Sequence, residues 1–191
     1  MMSLILASGS VYRRQQLQQL KINFQHQSAA VDETLKLNES PQNRALRLAI
    51  AKAEKVKNNN KQAIVIGSDQ VCACANRVFH KPGNRDKNIQ QLMGFSGQTL
   101  LFYSAVCVLG KDDERYQHIN ETRVQFRDLS RSEIIRYVDK EQAFDCAGGF
   151  KMERLGLCLM TTVTSDDPSA LMGLPLIQLC AFLRELGVEL P

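Results

Sequence analysis

The stretch TLLFYSAVCVLGKDDERYQHINETRVQF, residues 99–126, decides the predicted fold. Residues 99–109 are a long strand candidate, residues 110–114 form a polar turn, and residues 116–126 return as a second strand. A parallel pair would need a crossover of a dozen or more residues, so two strands joined by this short turn are antiparallel. The stretch therefore argues against a purely parallel sheet.

Shorter apolar runs and amphipathic segments lie on both sides of this pair. The run AIVIG at 63–67 reads as a buried central strand, and SLILA at 3–7 reads as another. Further strands are predicted at 22–27, 71–75, 78–80 and 155–164. Helices are predicted at 12–21, from Pro41 to Asn58, near 86–93, after Ser130 and after Pro175. The predicted fold is α/β: a mixed, twisted sheet with flanking helices.

Length and composition place the chain among globular proteins. Its 191 residues suit a single domain over 1–191, with room for two lobes around a cleft. The fractions of hydrophobic (44%) and charged (23%) residues exclude a disordered chain. No apolar run approaches the ~20 residues that a membrane span needs, and the N-terminus lacks the pattern of an export signal. We therefore expect a cytoplasmic protein with no membrane partner.

The net charge of +4 is modest. A general nucleic-acid binder usually carries a denser basic cluster, so no stable nucleic-acid partner is expected. The same charge fits a pocket for a small polyanion equally well. Six cysteines are expected to be reduced and to pack as small buried hydrophobic residues: Cys72, Cys74, Cys107, Cys146, Cys158 and Cys180.

The common catalytic and nucleotide-binding signatures are absent from the sequence. It contains no GxGxxG, GxxxxGK[ST], HExxH or GxSxG motif. The three histidines, His26, His80 and His118, are isolated in the sequence, and structural roles are favoured for them. The chemistry must therefore lie in other polar residues near the ends of predicted strands.

The first such group follows the first predicted strand. Ser8 and Ser10 precede Arg13 and Arg14 at the start of a predicted helix. Small residues and a helix N-terminus favour an anion, and arginine forks bind phosphate oxygens. The group is a candidate polyphosphate site, with a helix cap and two solvated arginines as the alternative.

A second group consists of carboxylates and lysines. Asp69 is predicted just beyond the strand at 63–67, at its carboxyl end, where a carboxylate can hold a metal ion or activate water. Glu33 lies in a polar loop, and two carboxylates suit Mg²⁺ or Mn²⁺. Lys52 and Lys81 could neutralise phosphate oxygens. The alternatives are a turn cap at Asp69, an exposed Glu33 and solvated lysines.

Taken together, these residues resemble the Maf family of nucleotide pyrophosphatases over nearly the whole chain. The order and spacing of several short motifs carry the resemblance: LILASGSVYRR at 4–14, VDE at 31–33, RLAIAKA at 47–53, IGSDQV at 66–71, HKP at 80–82, FSGQT at 95–99, CAGGFKME at 146–153 and GLP at 173–175.

The resemblance implies hydrolysis of a nucleoside triphosphate to the monophosphate and pyrophosphate with a divalent cation, Mg²⁺, Mn²⁺ or Co²⁺. The implied fold is related to inosine-triphosphate pyrophosphatases, and a homodimer is a family-level expectation. Asp69 would be the proton acceptor and, with Glu33, would serve the metal. The residues implied around the phosphates are Ser8, Arg13, Arg14, Lys52 and Lys81. No protein nucleophile is needed, because water attacks the α-phosphorus.

The family resemblance also implies which nucleotide base the protein prefers. The positions of Tyr12, Gln70 and Glu153 are associated with substrate preference, and here they are similar to the 7-methyl-GTP subgroup. A cationic methylated guanine would stack on Tyr12, and Glu153 would accept its N–H groups. The subgroup usually carries Trp at position 12 and Gly at position 154, where Arg154 could pair with Glu153. The alternatives are a UTP/dTTP or broad-range pyrophosphatase and a non-catalytic nucleotide- or nucleic-acid-binding regulator.

Overall fold

The computed structural model describes residues 3–75, 77–112 and 114–190. The seven strands of its sheet are β1 (Leu4–Leu6), β2 (Gln25–His26), β3 (Ile64–Cys74), β4 (Arg77–Phe79), β5 (Thr99–Leu109), β6 (Arg115–Phe126) and β7 (Met160–Ser165). The five α-helices of the described residues are α1 (Val11–Gln18), α2 (Pro41–Lys57), α3 (Arg85–Phe95), α4 (Arg131–Glu141) and α5 (Leu176–Glu185). The described residues also form three short 3-10 helices, at Ala147–Gly149, Leu155–Leu159 and Ala170–Met172.

The strands form one mixed sheet in the order β2-β1-β3-β5-β6-β7, with β4 also paired to β3. β1 is parallel to β2 and β3, whereas the remaining pairs are antiparallel. The β5–β6 ladder runs without interruption from Thr99 opposite Gln125 to Leu109 opposite Arg115. The mixed sheet predicted from residues 99–126 is confirmed.

Helices cover both faces of the sheet. One face packs against the small residues of α2, including Ala49 and Ala53. On the other face, α1 and α5 cover the strands near β1, and α3 and α4 cover the far ends of β5 and β6. Among the described residues, no helix is both long and apolar enough to cross a membrane.

Gly67 lets α2 approach β3 unusually closely. A Cβ atom at this position would lie 2.2 Å from the Ala49 carbonyl oxygen and 2.6 Å from the Ala53 nitrogen. Real Cβ atoms do not approach backbone atoms so closely, so any side chain here would push the helix away. The glycine therefore sets the distance between β3, which carries Asp69, and α2, which carries Lys52.

One edge of β3 is open in its middle. β1 pairs with residues 64–66 of β3 and β4 pairs with residues 72–74, while β5 covers the other edge over residues 65–73. Among the strand pairings of the described residues, none covers residues 67–71 on the side of β1 and β4. Side chains from both faces of the sheet can therefore reach a common opening at this edge.

The strands predicted at 63–67, 71–75 and 155–164 differ from the structure. The runs at 63–67 and 71–75 belong to a single strand, β3, because the polar residues between them stay paired with β5. Asp69 therefore lies in the middle of a strand, not at its carboxyl end as predicted. The strand predicted at 155–164 begins only at Met160, because Gly156 donates to the Lys151 carbonyl oxygen (2.9 Å) and turns the chain into a 3-10 helix.

The helix caps and the hairpin agree with the sequence. Ser40 caps α2 with Pro41 in the first turn, and Ser130 and Glu133 form the predicted capping box of α4. The strands on either side of the predicted hairpin turn pair as expected, although Asn76 lies outside the described residues.

The cysteines were predicted wrongly as a group: Cys72 and Cys107 are buried, Cys158 is exposed, and the others are half-buried. The exposed Cys158 lies in the 3-10 helix at Leu155–Leu159, where the sequence predicts a strand.

Candidate active site

A cleft with a volume of about 340 Å³ opens beside the uncovered edge of β3. Side chains from the start of α1, from α2, from β3 and β4, and from residues 145–153 line it. Of the residues predicted from the sequence, the cleft contains Ser10, Tyr12, Arg13, Glu33, Lys52, Asp69, Gln70, Lys81 and Glu153. These residues come from distant parts of the chain and form two groups, one around Lys52 and one around Tyr12.

Lys52 lies between the two predicted carboxylates. Its ammonium nitrogen is 2.6 Å from Asp69 Oδ1 and 2.7 Å from Glu33 Oε1. Lys52 and Asp69 are buried, whereas the Glu33 side chain is 56% exposed. Among the described residues no hydrogen bond reaches Asp69 Oδ2, so this oxygen is available to a ligand or a water molecule.

Further cations surround Glu33. Burial opposes its charge, but the hydrogen bond from Lys52 and the charges of Lys52, Lys81 and Arg13 outweigh burial and lower the pKa of Glu33. Burial lowers the pKa of the Arg13 guanidinium, and the charges of Asp69 and Glu33 oppose that shift. Arg13 Nε donates to the Gly173 carbonyl oxygen at 2.9 Å, which fixes the side chain against the cleft wall.

Arg44 lines the cleft but is not among the site residues predicted from the sequence. It is 7% exposed and donates from Nη2 to the Glu33 carbonyl oxygen at 2.7 Å. Arg44, Leu48 and Lys52 follow one another at intervals of four along α2, so they share one face of the helix and all line the cleft. That spacing from Lys52 is the sequence signal that could have identified it. We call Arg13, Glu33, Arg44, Lys52, Asp69 and Lys81 the cationic cluster.

A second group gathers around Tyr12. Its hydroxyl donates to both carboxylate oxygens of Asp145, each at 3.2 Å, and the Lys151 ammonium lies 5.9 Å from the centre of its ring. Burial raises the pKa of Tyr12, as do its contacts with Cys146 and Asp145. Burial also raises the pKa of the Cys146 thiol, to about 11. We call Tyr12, Asp145, Cys146 and Lys151 the tyrosine cluster.

Tyr12 is the one member of the tyrosine cluster that the sequence predicts as a site residue. Asp145 is 133 residues away from it in the chain, and Asp145 and Lys151 belong to a segment without long regular elements. Neither helical nor strand periodicity therefore marks them. The motif CAGGFKME, which includes Lys151, is the one signal that could have drawn attention to this segment.

Three of the predicted phosphate-binding residues have other partners. Ser10 lines the cleft and caps α1, with its hydroxyl accepting from the Arg13 nitrogen at 3.4 Å. Ser8 is buried and accepts from the Ser10 nitrogen, whereas Arg14 lies 2.8 Å from His26 Nε2. Neither Ser8 nor Arg14 is among the residues that line the cleft.

The predicted specificity residues differ in how they are held. Gln70 donates from Nε2 to the Ser104 hydroxyl and to the carbonyl oxygens of Ala170 and Leu171, at 2.9, 3.1 and 2.9 Å. It therefore anchors the 3-10 segment at 170–172 while lining the cleft. Glu153 is exposed at the cleft. Arg154 is paired with Glu141 at 3.4 Å, and among the described residues it makes no ion pair with Glu153.

The donor set fits a magnesium-like ion. No group of three or more His, Cys, Asp or Glu side chains suited to a metal exists within residues 3–75, 77–112 and 114–190. Mg²⁺ commonly uses one or two protein carboxylates and takes its other ligands from water and substrate phosphates. Glu33 and Asp69, which meet at Lys52, provide two carboxylates of this kind.

Comparison with known proteins identifies related chains over almost the full length. A family model described as "Maf-like protein" matches residues 3–186. The 7-methyl-GTP pyrophosphatase of Aromatoleum aromaticum is 46% identical over 98% of this chain and 97% of its own. The 7-methyl-GTP pyrophosphatase of Alcanivorax borkumensis is 44% identical over 99% and 96%. In fold, the Staphylococcus aureus Ham1 protein superposes with a TM-score of 0.55 at 15% identity, over 96% of this chain and 98% of that protein.

Proposed function

The chain belongs to the Maf family, and from this premise we propose that it is a nucleoside triphosphate pyrophosphatase. Its proposed substrates are 7-methyl-GTP and related modified nucleotides, and its products are the monophosphate and pyrophosphate. Relatives that are 44–46% identical over nearly their full lengths and carry the name 7-methyl-GTP pyrophosphatase support this choice of substrate.

One structural observation carries the proposal: the cationic cluster and the tyrosine cluster line the same cleft. The cationic cluster has four positive side chains and two carboxylates, so it offers a triphosphate both charge neutralisation and groups that handle water and a metal ion. The tyrosine cluster offers a ring on which a base can stack. A nucleotide that spans both clusters would place its phosphates among the cations.

In the proposed reaction, Asp69 accepts a proton from the attacking water. Its Oδ1 accepts a hydrogen bond from Lys52. Its Oδ2, which accepts no hydrogen bond from the described residues, would bind that water. A carboxylate fixed in this way gains from orientation as well as from proton transfer. Water attacks the α-phosphorus, and pyrophosphate leaves from the opposite side.

The remaining cations bind the phosphates. Arg13 and Lys81, which already act on the charge of Glu33, would neutralise phosphate oxygens, and Arg44 lines the same cleft. Glu33 and Asp69 would hold a divalent ion, Mg²⁺, Mn²⁺ or Co²⁺. When bound, such an ion polarises the phosphoryl group and neutralises charge on the leaving pyrophosphate. The Cys146 thiol stays protonated near neutral pH, since its pKa is about 11, and it takes no part as a nucleophile.

Base selection falls to Tyr12 and Glu153. A methylated guanine is cationic, and a cation over a tyrosine ring gains about 0.5–2 kcal/mol. Glu153 is exposed at the cleft, where it can accept hydrogen bonds from guanine N–H groups. Since Arg154 is paired with Glu141, the carboxylate of Glu153 is not neutralised by its neighbour in the sequence.

The test is a nucleotide panel that contains 7-methyl-GTP, GTP, UTP and dTTP, each assayed for pyrophosphate release with Mg²⁺, Mn²⁺ or Co²⁺. We expect 7-methyl-GTP to have the highest kcat/KM and to yield equimolar monophosphate and pyrophosphate. Faster turnover of UTP or dTTP would overturn the assignment of 7-methyl-GTP as the substrate, but it would leave the assignment as a pyrophosphatase intact. Release of orthophosphate alone would overturn the reaction class.

The same panel tests the non-catalytic alternative. A regulator that only binds nucleotides or nucleic acids would release no pyrophosphate. Its affinity for polynucleotides would also fall steeply with rising salt. Pyrophosphate release together with the absence of such binding would exclude that alternative.

A further inference from the structure

Among the described residues, Asp145 is the one carboxylate that accepts a hydrogen bond from the Tyr12 hydroxyl. The hydroxyl of Tyr12 is 3.2 Å from Asp145 Oδ1 and 3.2 Å from Oδ2, so the proton is shared between both oxygens. Asp145 is itself exposed and lines the cleft. Its negative charge is thus placed at the edge of the ring that is proposed to receive the base.

The ring already attracts a cation in this structure. Lys151 Nζ lies 5.9 Å from the ring centre, within the range of a cation–π contact. The same ammonium is 3.7 Å from Glu141 Oε1, a buried carboxylate at the end of α4. Lys151 can therefore stay paired with Glu141 if another cation replaces it over the Tyr12 ring.

The segment that carries Asp145 is held from outside the cleft. The Asn88 side-chain amide donates to the Gly149 carbonyl oxygen at 2.9 Å, and the Lys151 backbone nitrogen donates to the Tyr137 hydroxyl at 3.1 Å. Asn88 is fully buried and Tyr137 nearly so. These contacts fix residues 149–151 on α3 and α4, so that Asp145 and Lys151 meet Tyr12 without themselves being part of the core.

We propose that Asp145 is a positioning residue that determines base specificity, acting through the Tyr12 hydroxyl to favour a cationic base over a neutral one. The inference rests on the proposed function, because it concerns the base of the same nucleotide. Its partners are the Tyr12 hydroxyl and the Cys146 thiol, so it would act on the base through Tyr12 and not on the phosphates.

The physical basis is electrostatic. A phenol that donates to a carboxylate carries more electron density in its ring, and the carboxylate adds its own negative potential nearby. Both effects strengthen the attraction for a positively charged ring stacked on Tyr12. A neutral guanine has no net charge to respond, so its binding changes little. The ratio of the two affinities therefore reports on Asp145.

The experiment compares the wild type with the Asp145→Asn, Tyr12→Phe and double variants. Calorimetry gives the Kd values of 7-methyl-GMP and of GMP, the ligands left after hydrolysis, so that the measurement needs no turnover. Asparagine keeps the size of the side chain and removes its charge, while phenylalanine keeps the ring and removes the hydroxyl. Asp166→Asn, an exposed carboxylate outside the cleft lining, serves as the matched control.

We expect Asp145→Asn to lower the preference for 7-methyl-GMP over GMP by about three- to tenfold, with the Kd of GMP almost unchanged. Tyr12→Phe should lower it as well, and the double variant should lose less than the product of the two single effects, because both act through one hydrogen bond. Asp166→Asn should leave the preference intact.

Three results would overturn the inference: no preference in the wild type, an unchanged preference in Asp145→Asn, or equal weakening of both ligands. The last would indicate a purely structural role. Pyrophosphate release by the wild-type protein is scored separately. If the wild type binds 7-methyl-GMP selectively and releases no pyrophosphate, the proposed activity fails, while the role of Asp145 is still decided by the affinities.

Discussion

The two clusters that share the cleft are built from different kinds of structure. Most of the cationic cluster stands on regular elements: Asp69 lies in the middle of β3, and Arg44 and Lys52 lie on α2, packed against it. The tyrosine cluster takes Asp145, Cys146 and Lys151 from a segment that has one three-residue 3-10 helix, and only Tyr12 belongs to an α-helix.

This difference separates the residues proposed for the hydrolysis reaction from those proposed to select the base. Groups that move protons and stabilise charge must be placed precisely, and a strand paired on a long ladder with a helix packed on it provides that precision. Groups that choose a base can lie on a segment that changes without disturbing the core. Variants of the cationic cluster should therefore affect all nucleotides alike, and variants around the tyrosine cluster should change the ratios between nucleotides.

The largest effect is expected from Asp69→Asn. The amide keeps the shape of the side chain but cannot accept a proton from water, so kcat should fall about a thousandfold on every nucleotide that the wild type hydrolyses. Binding of 7-methyl-GMP should be retained. Steady-state pyrophosphate release and calorimetry give the two quantities.

Asp166→Asn is the control for this variant, because Asp166 is exposed and lies outside the cleft lining. Its kcat should match that of the wild type. Unchanged turnover in Asp69→Asn would remove Asp69 from the mechanism. A selective loss on methylated guanine alone would contradict the separation of the two clusters.

Gly67→Ala tests the scaffold beneath the cationic cluster. The added Cβ would lie 2.2 Å from the Ala49 carbonyl oxygen, so α2 must move away from β3 and Lys52 must move away from Asp69. We expect a loss of about 3 kcal/mol in the free energy of unfolding, together with a lower kcat in the fraction that remains folded. Urea denaturation measures the first and the pyrophosphate assay the second.

Gly94→Ala is its control. Gly94 lies near the end of α3, and a Cβ there meets no atom within 4 Å. The substitution should leave stability unchanged or raise it by up to about 1 kcal/mol, since alanine favours a helix more than glycine does. An equal loss in both variants would show that the close approach of α2 to β3 does not set the stability.

The sequence predicted the regular part of the site well. The mixed sheet followed from the antiparallel pair at 99–126, and Lys52 lies on the helix that was predicted from its apolar spacing. What it misjudged was the strand itself. The polar run from Ser68 to Gln70 looks like a loop, because hydrophobic spacing cannot show that each polar side chain has a buried partner.

The tyrosine cluster could not be derived in this way. Its hydrogen bond joins Tyr12 to a residue 133 positions later, and the segment between α4 and β7 has no period that would orient its side chains. Its position is set by tertiary contacts such as that of Asn88 with Gly149. Resemblance to a family identified Tyr12 and Glu153, whereas the roles of Asp145 and Lys151 needed the structure.

Glu141→Gln should produce a moderate effect that is confined to the tyrosine cluster. The buried Glu141 carboxylate accepts from the Leu155 nitrogen at 3.2 Å and pairs with Lys151 at 3.7 Å and Arg154 at 3.4 Å. Loss of its charge should cost about 1.5 kcal/mol of unfolding free energy and loosen residues 151–155. KM for 7-methyl-GTP should rise, and kcat should stay within about twofold, because no contact of the cationic cluster changes.

An exposed glutamate at the end of α5, Glu185, provides the control Glu185→Gln, which should alter neither quantity. If Glu141→Gln instead lowered kcat on all nucleotides with KM unchanged, the segment would be coupled to the chemistry. The base-selecting segment would then not be separable from the cationic cluster.

Glu133→Gln should have the smallest effect, because Glu133 lies in the first turn of α4, at the opposite end of the helix from Glu141. Glu133 accepts from the Ser130 nitrogen and hydroxyl, at 2.8 and 2.7 Å, and pairs with Arg127 at 2.9 Å. These contacts lower its pKa from the usual 4.5 to about 2, the Ser130 hydrogen bonds contributing most. The carboxylate therefore stabilises the fold above about pH 4.5, and this contribution is lost as the pH falls toward 2.

Thermal unfolding should show the variant less stable than the wild type at pH 7 and progressively closer to it below pH 4.5, with base preference at pH 7 unchanged. A difference that grew toward low pH would contradict the assignment of this pKa, and a changed base preference would show that the tyrosine cluster depends on the start of α4 as well as on its end.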